Sequence, residues 1–251
     1  MEYKFCALVF LRAQNKPYTF KLASNRDGYG VFGEVTLEYL VENSRTAHFF
    51  VQVKREPGQC VTMRQLLAEK GRFSLRKYYK SYEKIENKFT CIEEEVKLEG
   101  SIDESLFIVY TNADVEETLK SNNITDIGEE KFLMTEGSVL KFNEQDHPAI
   151  YEHLQGLPKH REFLRRFRII YSQPNEEEID GHIKSELQRD RELTESELDK
   201  TYMCFIKSMK KWWKRGDFFL KDTNSRENVF LRQTSEEVKP TLVTKMKFEL
   251  D

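Results

Sequence analysis

The sequence predicts an α/β protein in which one mixed β-sheet is flanked by helices and followed by a mostly helical C-terminal extension. Three observations carry this expectation. Two β segments, Glu34–Val41 and His48–Lys54, are joined by a short polar loop, as in a strand pair. Leu106–Thr111 is a continuous apolar run bounded by polar residues, the pattern of a buried strand. Helical periodicity precedes these strands and lies between them, and that alternation favours one sheet with helices packed on it.

Each element follows from its own signal. Residues 2–14, apolar at Phe5, Ala7, Leu8, Val9 and Leu11, suit a helix that Asn15-Lys16-Pro17 ends. Tyr18–Ala23 reads as a short strand, followed by the turn-rich Ser24–Gly30. Glu56-Pro57-Gly58 closes the strand pair. A helical stretch then runs from about Thr62 to Phe89, broken near Gly71. A helix near Val115–Ser121 and a short strand near Val139–Phe142 complete the α/β part. Beyond it, His147–Leu154, Arg161–Phe167, Asn175–Gln188 and Thr194–Lys214 are helical by period. Phe167–Tyr171, rich in Phe, Ile and Tyr, also suits a strand. Glu176-Glu177-Glu178 at the head of one helix and Lys210-Lys211 near the end of another complement the helix dipole. A soft boundary near residue 145 separates a core, 1–145, from the helical extension, 146–251, which is either separate or part of the same domain.

Composition narrows the function classes. The chain has 251 residues, 40 Lys+Arg against 43 Asp+Glu, and 39% hydrophobic residues. That supports one large domain or two small ones, at a prior of roughly 150 residues each, and excludes a polycation. No apolar run approaches the ~18 residues of a membrane span, so no membrane partner is expected. The N-terminus does not read as a signal peptide. Four scattered cysteines without CxxC spacing imply reduced thiols in a cytoplasmic or nuclear protein. Asn123-Ile124-Thr125 fits a glycosylation pattern that matters only on a secretory route. A Walker loop, HExxH, GxSxG and a cysteine-nucleophile signature are all missing from the text. His147, His153, His160 and His182 have no metal-ligand spacing, and His48 reads as structural.

The informative stretch is Gly30–Lys54. Period two puts Glu34, Thr36 and Glu38 on one face of the first strand, and Phe50, Gln52 and Lys54 on one face of the second. If the strands are adjacent, Glu34 or Glu38 meets Gln52 and Lys54 at one edge of the sheet. Oxygen ligands of this kind can hold a hard divalent cation, which polarises a phosphate and generates hydroxide. A nearby lysine can orient that water and offset developing charge. A second reading of the same residues is a cross-strand Glu–Lys ion pair.

The wording of this stretch resembles the PD-(D/E)xK, or restriction-endonuclease-like, superfamily in its D…QxK form. It is most similar to the endonuclease domains of insect signal-transducing NTPases and of bacterial anti-phage effectors. The resemblance is carried by Ala7–Arg12, Lys21-Leu22-Ala23-Ser24-Asn25, Gly30-Val31-Phe32-Gly33-Glu34, Phe50-Val51-Gln52-Val53-Lys54 and Phe73–Tyr82. It implies a restriction-endonuclease-like fold and a metal-dependent DNA nuclease, with Mg²⁺ or Mn²⁺ as cofactor. In that picture Glu34 holds the metal, Gln52 adds to its coordination, and Lys54 positions water. Where members of the family have two adjacent aspartates, this chain has Gly33-Glu34. The alternative is therefore a degenerate, inactive module that binds protein or nucleic acid in a defence or signalling assembly. Such relatives carry further domains after this one.

Basic residues Arg76, Lys77, Lys80 and Lys84, interleaved with Tyr78, Tyr79 and Tyr82, suggest a nucleic-acid surface for DNA. The competing reading is a solvated helix face with its tyrosines packed inward. Lys210–Arg215 forms a second basic cluster, in which burial of Trp212 and Trp213 outweighs base stacking. Protein partners or self-association complete the expected interactions.

Overall fold

A computed structural model of the chain describes residues 1–15, 20–41, 45–91, 98–120, 132–189, 191–215 and 220–221. Its centre is a seven-stranded mixed sheet in the order β7-β8-β5-β3-β2-β1-β9. The strands are β1 (Phe20–Ser24), β2 (Val35–Val41), β3 (Arg45–Lys54), β5 (Ser105–Thr111), β7 (Ser138–Lys141), β8 (Phe167–Tyr171) and β9 (Leu220–Lys221). The predicted hairpin is β2–β3, antiparallel with Val35 opposite Val51 and Glu38 opposite His48. β3, β5 and β8 run parallel, so Lys54 and Thr111 lie side by side at their carboxyl ends. β5 is buried along almost its whole length, which is why its sequence is a continuous apolar run rather than an alternating one. A small parallel pair, β4 (Cys60–Val61) and β6 (Asp114–Val115), lies beyond the sheet's main ladder.

Helices cover both faces. On one side lie α1 (Glu2–Gln14), α6 (Glu176–Gln188) and α7 (Glu195–Arg215), packed on Val51, Val53, Ile108, Tyr110 and Ile170. α1 buries Phe5 through Leu11 without a break, because it is enclosed by the sheet on one side and by α6 and α7 on the other. The opposite side carries a 3₁₀ turn (Gly30–Gly33), α3 (Leu75–Thr90) and α5 (His160–Arg166). Here Phe50, Phe107, Val109 and Phe167 meet Phe32, Tyr78, Tyr82 and Phe163. Period two in β3 therefore sends Phe50, Gln52 and Lys54 to the α3 side, and Val51 and Val53 to the α1 side.

Several expectations are refined. The stretch from Thr62 to Phe89 is two helices, α2 (Met63–Leu66) and α3, with Gly71 at φ 145° between them. Phe167–Tyr171 is strand β8, because its apolar side chains are sandwiched by helices while its backbone pairs with β5 and β7. In place of a helix near Val115–Ser121 stands the single 3₁₀ turn Glu117–Leu119. A short helix α4 (Pro148–Leu154) precedes α5. Although it lies after residue 145, β8 is an inner strand of the same sheet. Asn123–Thr125 lies outside the described residues. Among the described residues no helix is long and apolar enough to cross a membrane.

Candidate functional site

The three residues singled out at the sheet edge do meet, although Glu34 reaches the site from outside the strand. It follows the 3₁₀ turn in helical conformation, one residue before β2 begins. Its Oε2 accepts a 2.9 Å hydrogen bond from the backbone N–H of Val53, and the neighbouring Gln52 side chain favours its charged form. Gln52 is buried and donates to the Val53 carbonyl at 3.3 Å. The local chain makes this placement firm: Arg26 N–H donates to Gly33 O at 2.8 Å and Asn25 N–H to Glu34 O at 3.1 Å, closing the β1–β2 turn. A Cβ on Gly33 would stand 2.3 Å from the Arg26 carbonyl oxygen. An acidic side chain thus has no room at position 33, and the site holds a single carboxylate where a pair was the family pattern.

Burial acts on both charged partners. It raises the Glu34 carboxyl above its ordinary range, against the N–H of Val53, the Gln52 side chain and the charge of Lys54. It lowers the Lys54 ammonium, with Lys77 and Arg72 lowering it further and Glu34 and Glu56 pulling the other way. Neither acid pairs directly with the Lys54 ammonium; they act on it through space. Glu56 is buried and held by Arg72 at 2.5 Å, while its backbone N–H donates to Asn112 Oδ1 at 2.7 Å. Lys54, Lys77 and Arg72 therefore gather at the carboxyl end of β3, beside the start of α3. Tyr78 lies behind them, its hydroxyl donating to Arg72 O at 2.7 Å.

Glu38 belongs elsewhere. Cross-strand register puts it between Lys21 and His48, with Lys21 Nζ at 2.5 Å and His48 Nε2 at 3.6 Å. Burial would raise its carboxyl, but His48 and Lys21 beside it hold it down to about 2. The ion-pair reading thus applies to Glu38, and the clustered site to Glu34.

The basic face of α3 divides. Arg76 is committed to Glu69 at 3.1 Å and to the His153 carbonyl at 3.1 Å, Lys80 and Lys84 are exposed, and the Lys77 charge bears on Lys54 through space. Tyr78, Tyr79 and Tyr82 are buried, and their hydroxyls bond to Arg72 O, to Pro158 O and Glu83, and to Glu86. The tyrosines are core, as the inward-packing reading has it. Trp212 is likewise buried.

No family model and no curated protein matches the chain. Among solved structures it is similar to the Acinetobacter baumannii Cap4 SAVED/CARF-domain containing receptor with the cyclic trinucleotide 2'3'3'-cAAA, at 12% identity and a TM-score of 0.47 over 93% of this chain and 44% of that one. It is also similar to the Moraxella osloensis Cap4 SAVED/CARF-domain containing receptor, at 13% identity and a TM-score of 0.42 over 94% of this chain and 48% of that one. The chain spans less than half the length of these structures. The expected PD-(D/E)xK superfamily and the metal-dependent DNA nuclease, with its degenerate alternative, are corrected: no family model matches, and the similar structures are Cap4 SAVED/CARF-domain containing receptors. What stands is the mixed α/β architecture.

Among the described residues no three His, Cys, Asp or Glu side chains gather as a metal-holding group. At this edge Glu34 lends one carboxylate, whose Oε2 accepts a hydrogen bond from a backbone N–H. Sequence reasoning missed Arg72, Glu56 and Asn112. Glu56 continues the alternation of Gln52 and Lys54 and was legible on that ground, whereas Arg72 and Asn112 lie in irregular segments whose position only the fold sets.

Proposed function

We propose that the carboxyl edge of β3 binds a small phosphate-bearing ligand, and that the chain acts as a ligand-binding module. The observation that supports this is the half-buried Lys54 ammonium, which lacks an ion-pair partner among the described residues and has Lys77 and Arg72 as its nearest cationic influences. A charge taken from water without a partner is costly, and like charges beside it add to that cost. An anion bridging Lys54 and Lys77 relieves both terms. Lysine serves as a point-charge phosphate binder, and ligands of open α/β sheets bind in the crevice outside the carboxyl ends of parallel strands. Arg72 contributes field rather than a contact, because leaving Glu56 would strand a buried carboxylate.

The test is calorimetric titration of the chain with inorganic phosphate, ATP and a cyclic trinucleotide at low salt. At least one should bind saturably, and Lys54→Ala should weaken it by tenfold or more, about 1.4 kcal/mol. Equal affinity in wild type and Lys54→Ala, or no saturable binding by any of the three, overturns the proposal.

A further inference from the structure

A cleft between α4 and α5 has a chemistry of its own. It encloses about 220 Å³ and is lined by Glu144, Tyr151, Glu152, Gln155, His160 and Arg161, with Pro148 at its rim. Ligand pockets for drug-sized molecules run to roughly 300–1,000 Å³, so this one suits a smaller molecule or a single side chain.

Its hydrogen-bond inventory leaves several acceptors open. The Arg161 guanidinium spends its fork on Glu144, Nη1 on Oε2 at 2.5 Å and Nη2 on Oε1 at 2.6 Å. The Tyr151 hydroxyl donates to the Phe142 carbonyl at 3.3 Å, and burial first, then Glu144, pushes that hydroxyl's pKa up, keeping it protonated. His160 Nδ1 stands 2.9 Å from the Leu157 carbonyl. An oxygen acceptor there requires the proton on Nδ1, which leaves Nε2 of the neutral ring as an acceptor. The Tyr151 hydroxyl, His160 Nδ1–H and two of the five Arg161 N–H donors are committed. The open acceptors are His160 Nε2, the Gln155 amide oxygen, whose NH₂ group is open too, and the Glu152 carboxylate, which has no side-chain partner among the described residues. The Tyr151 ring already takes a cation on its face, with the Arg161 guanidinium carbon 5.9 Å from its centroid.

We infer that this cleft binds an alkylammonium group. An –NH₃⁺ presents three donors and no acceptor, matching an open carboxylate, an amide oxygen and an imidazole nitrogen. Its charge complements Glu152, and its short stem lies against Tyr151. Two sources share this chemistry, a free small amine and the side chain of a lysine on a partner protein. The site is separate from the cationic edge of β3 and does not depend on what binds there.

The experiment titrates ¹⁵N-labelled chain with n-butylamine, N-acetyl-lysine methylamide and N-acetyl-norleucine methylamide, following the amides of residues 144–161. Saturable shifts confined to that region with an ammonium-bearing probe, and none with the norleucine probe, are expected. Glu152→Gln, an exposed substitution on the surface of α4, should weaken binding at least fivefold while leaving the rest of the spectrum unchanged. Binding of the lysine probe alone identifies a protein side chain as the source; binding of butylamine equally well identifies a free amine. No saturable shift with either amine, equal binding of norleucine, or an unaltered affinity in Glu152→Gln overturns the inference.

Discussion

Glu34 and Lys54 are moved in opposite directions by one cause, the removal of each from water at the end of β3. That shared cause sets a pH dependence for anion binding. Glu34 takes a proton above the ordinary carboxylate value of 4.5, so on lowering the pH it stops opposing an incoming anion before an exposed glutamate would. Lys54, whose folded-state value lies below the usual 10.5, gives up its charge sooner on the alkaline side. Affinity for a phosphate ligand should therefore be greatest at acid pH and fall in two steps, first as Glu34 ionises and then as Lys54 deprotonates. Glu34→Gln should remove the first step and keep the second. The check is Kd against pH for wild type and Glu34→Gln, with a ligand whose own ionisation is corrected for. A wild-type profile identical to that of the variant would separate Glu34 from the ligand. The sequence brought these residues together through the period-two faces of Glu34–Val41 and His48–Lys54, but Glu34 enters from a helical residue before β2, where strand parity does not apply. Which acid joined the site was not legible. Glu34 and Glu38 read as equivalent by parity, and the cross-strand register, which sets Glu38 between Lys21 and His48, separates them.

The element that fixes Glu34 is the turn between β1 and β2, and its tolerance to change is set by Gly33. This glycine has no unusual backbone angle; the constraint is the Arg26 carbonyl, which a Cβ would approach to 2.3 Å. That oxygen is backbone, so relief requires moving the turn that the Arg26 N–H to Gly33 O bond closes. Gly33→Ala should cost about 1–3 kcal/mol, the usual range for overpacking, and should displace Glu34 from the Val53 N–H. Urea unfolding reads the first effect, and the amide shift of Val53 reads the second. A variant as stable as wild type with an unmoved Val53 resonance would show that the turn yields without strain. The sequence marks this region as a turn through Gly28 and Gly30, yet nothing in it distinguishes a glycine needed for conformation from one needed for space. The same holds for β8. Phe167–Tyr171 carries both a helical and a strand signal, and pairing with β5 on one side and β7 on the other decides between them. Long elements with a clean period, α1, α3, α6 and α7, are legible from local pattern alone because their tertiary burial agrees with it. α1 shows the limit: its apolar residues announce burial, but not that two helices nearly a whole chain away cover it.

At the scale of the whole molecule, the sheet ties the two halves of the sequence together. β8 sits inside it between β5 and β7, and α6 and α7 close the face on which α1 is packed. A chain ending at residue 145 would lose fully buried Phe167, Ile169, Ile170, Ile179, Ile183 and Met209. It would also uncover an apolar flank of α1 and leave β5 without a partner on one side. Each such side chain is worth ~1.5–3 kcal/mol on burial, so the six together, at roughly 9–18 kcal/mol, are comparable with the 5–15 kcal/mol net stability of a typical domain. The arithmetic holds even after allowing for the 10–40% by which compact unfolded chains reduce such figures. Residues 1–145 alone should therefore show no cooperative thermal transition by near-ultraviolet circular dichroism and little amide protection in β5, where the 1–215 chain shows both. A sharp transition in the shorter chain, with β5 protected, would mean that the first half folds by itself and that β8 with its helices docks onto a finished sheet. The failure of the short chain, by contrast, makes the fold one cooperative unit. The edge of β3 that gathers Lys54 and Lys77 would then depend on packing supplied from beyond residue 145.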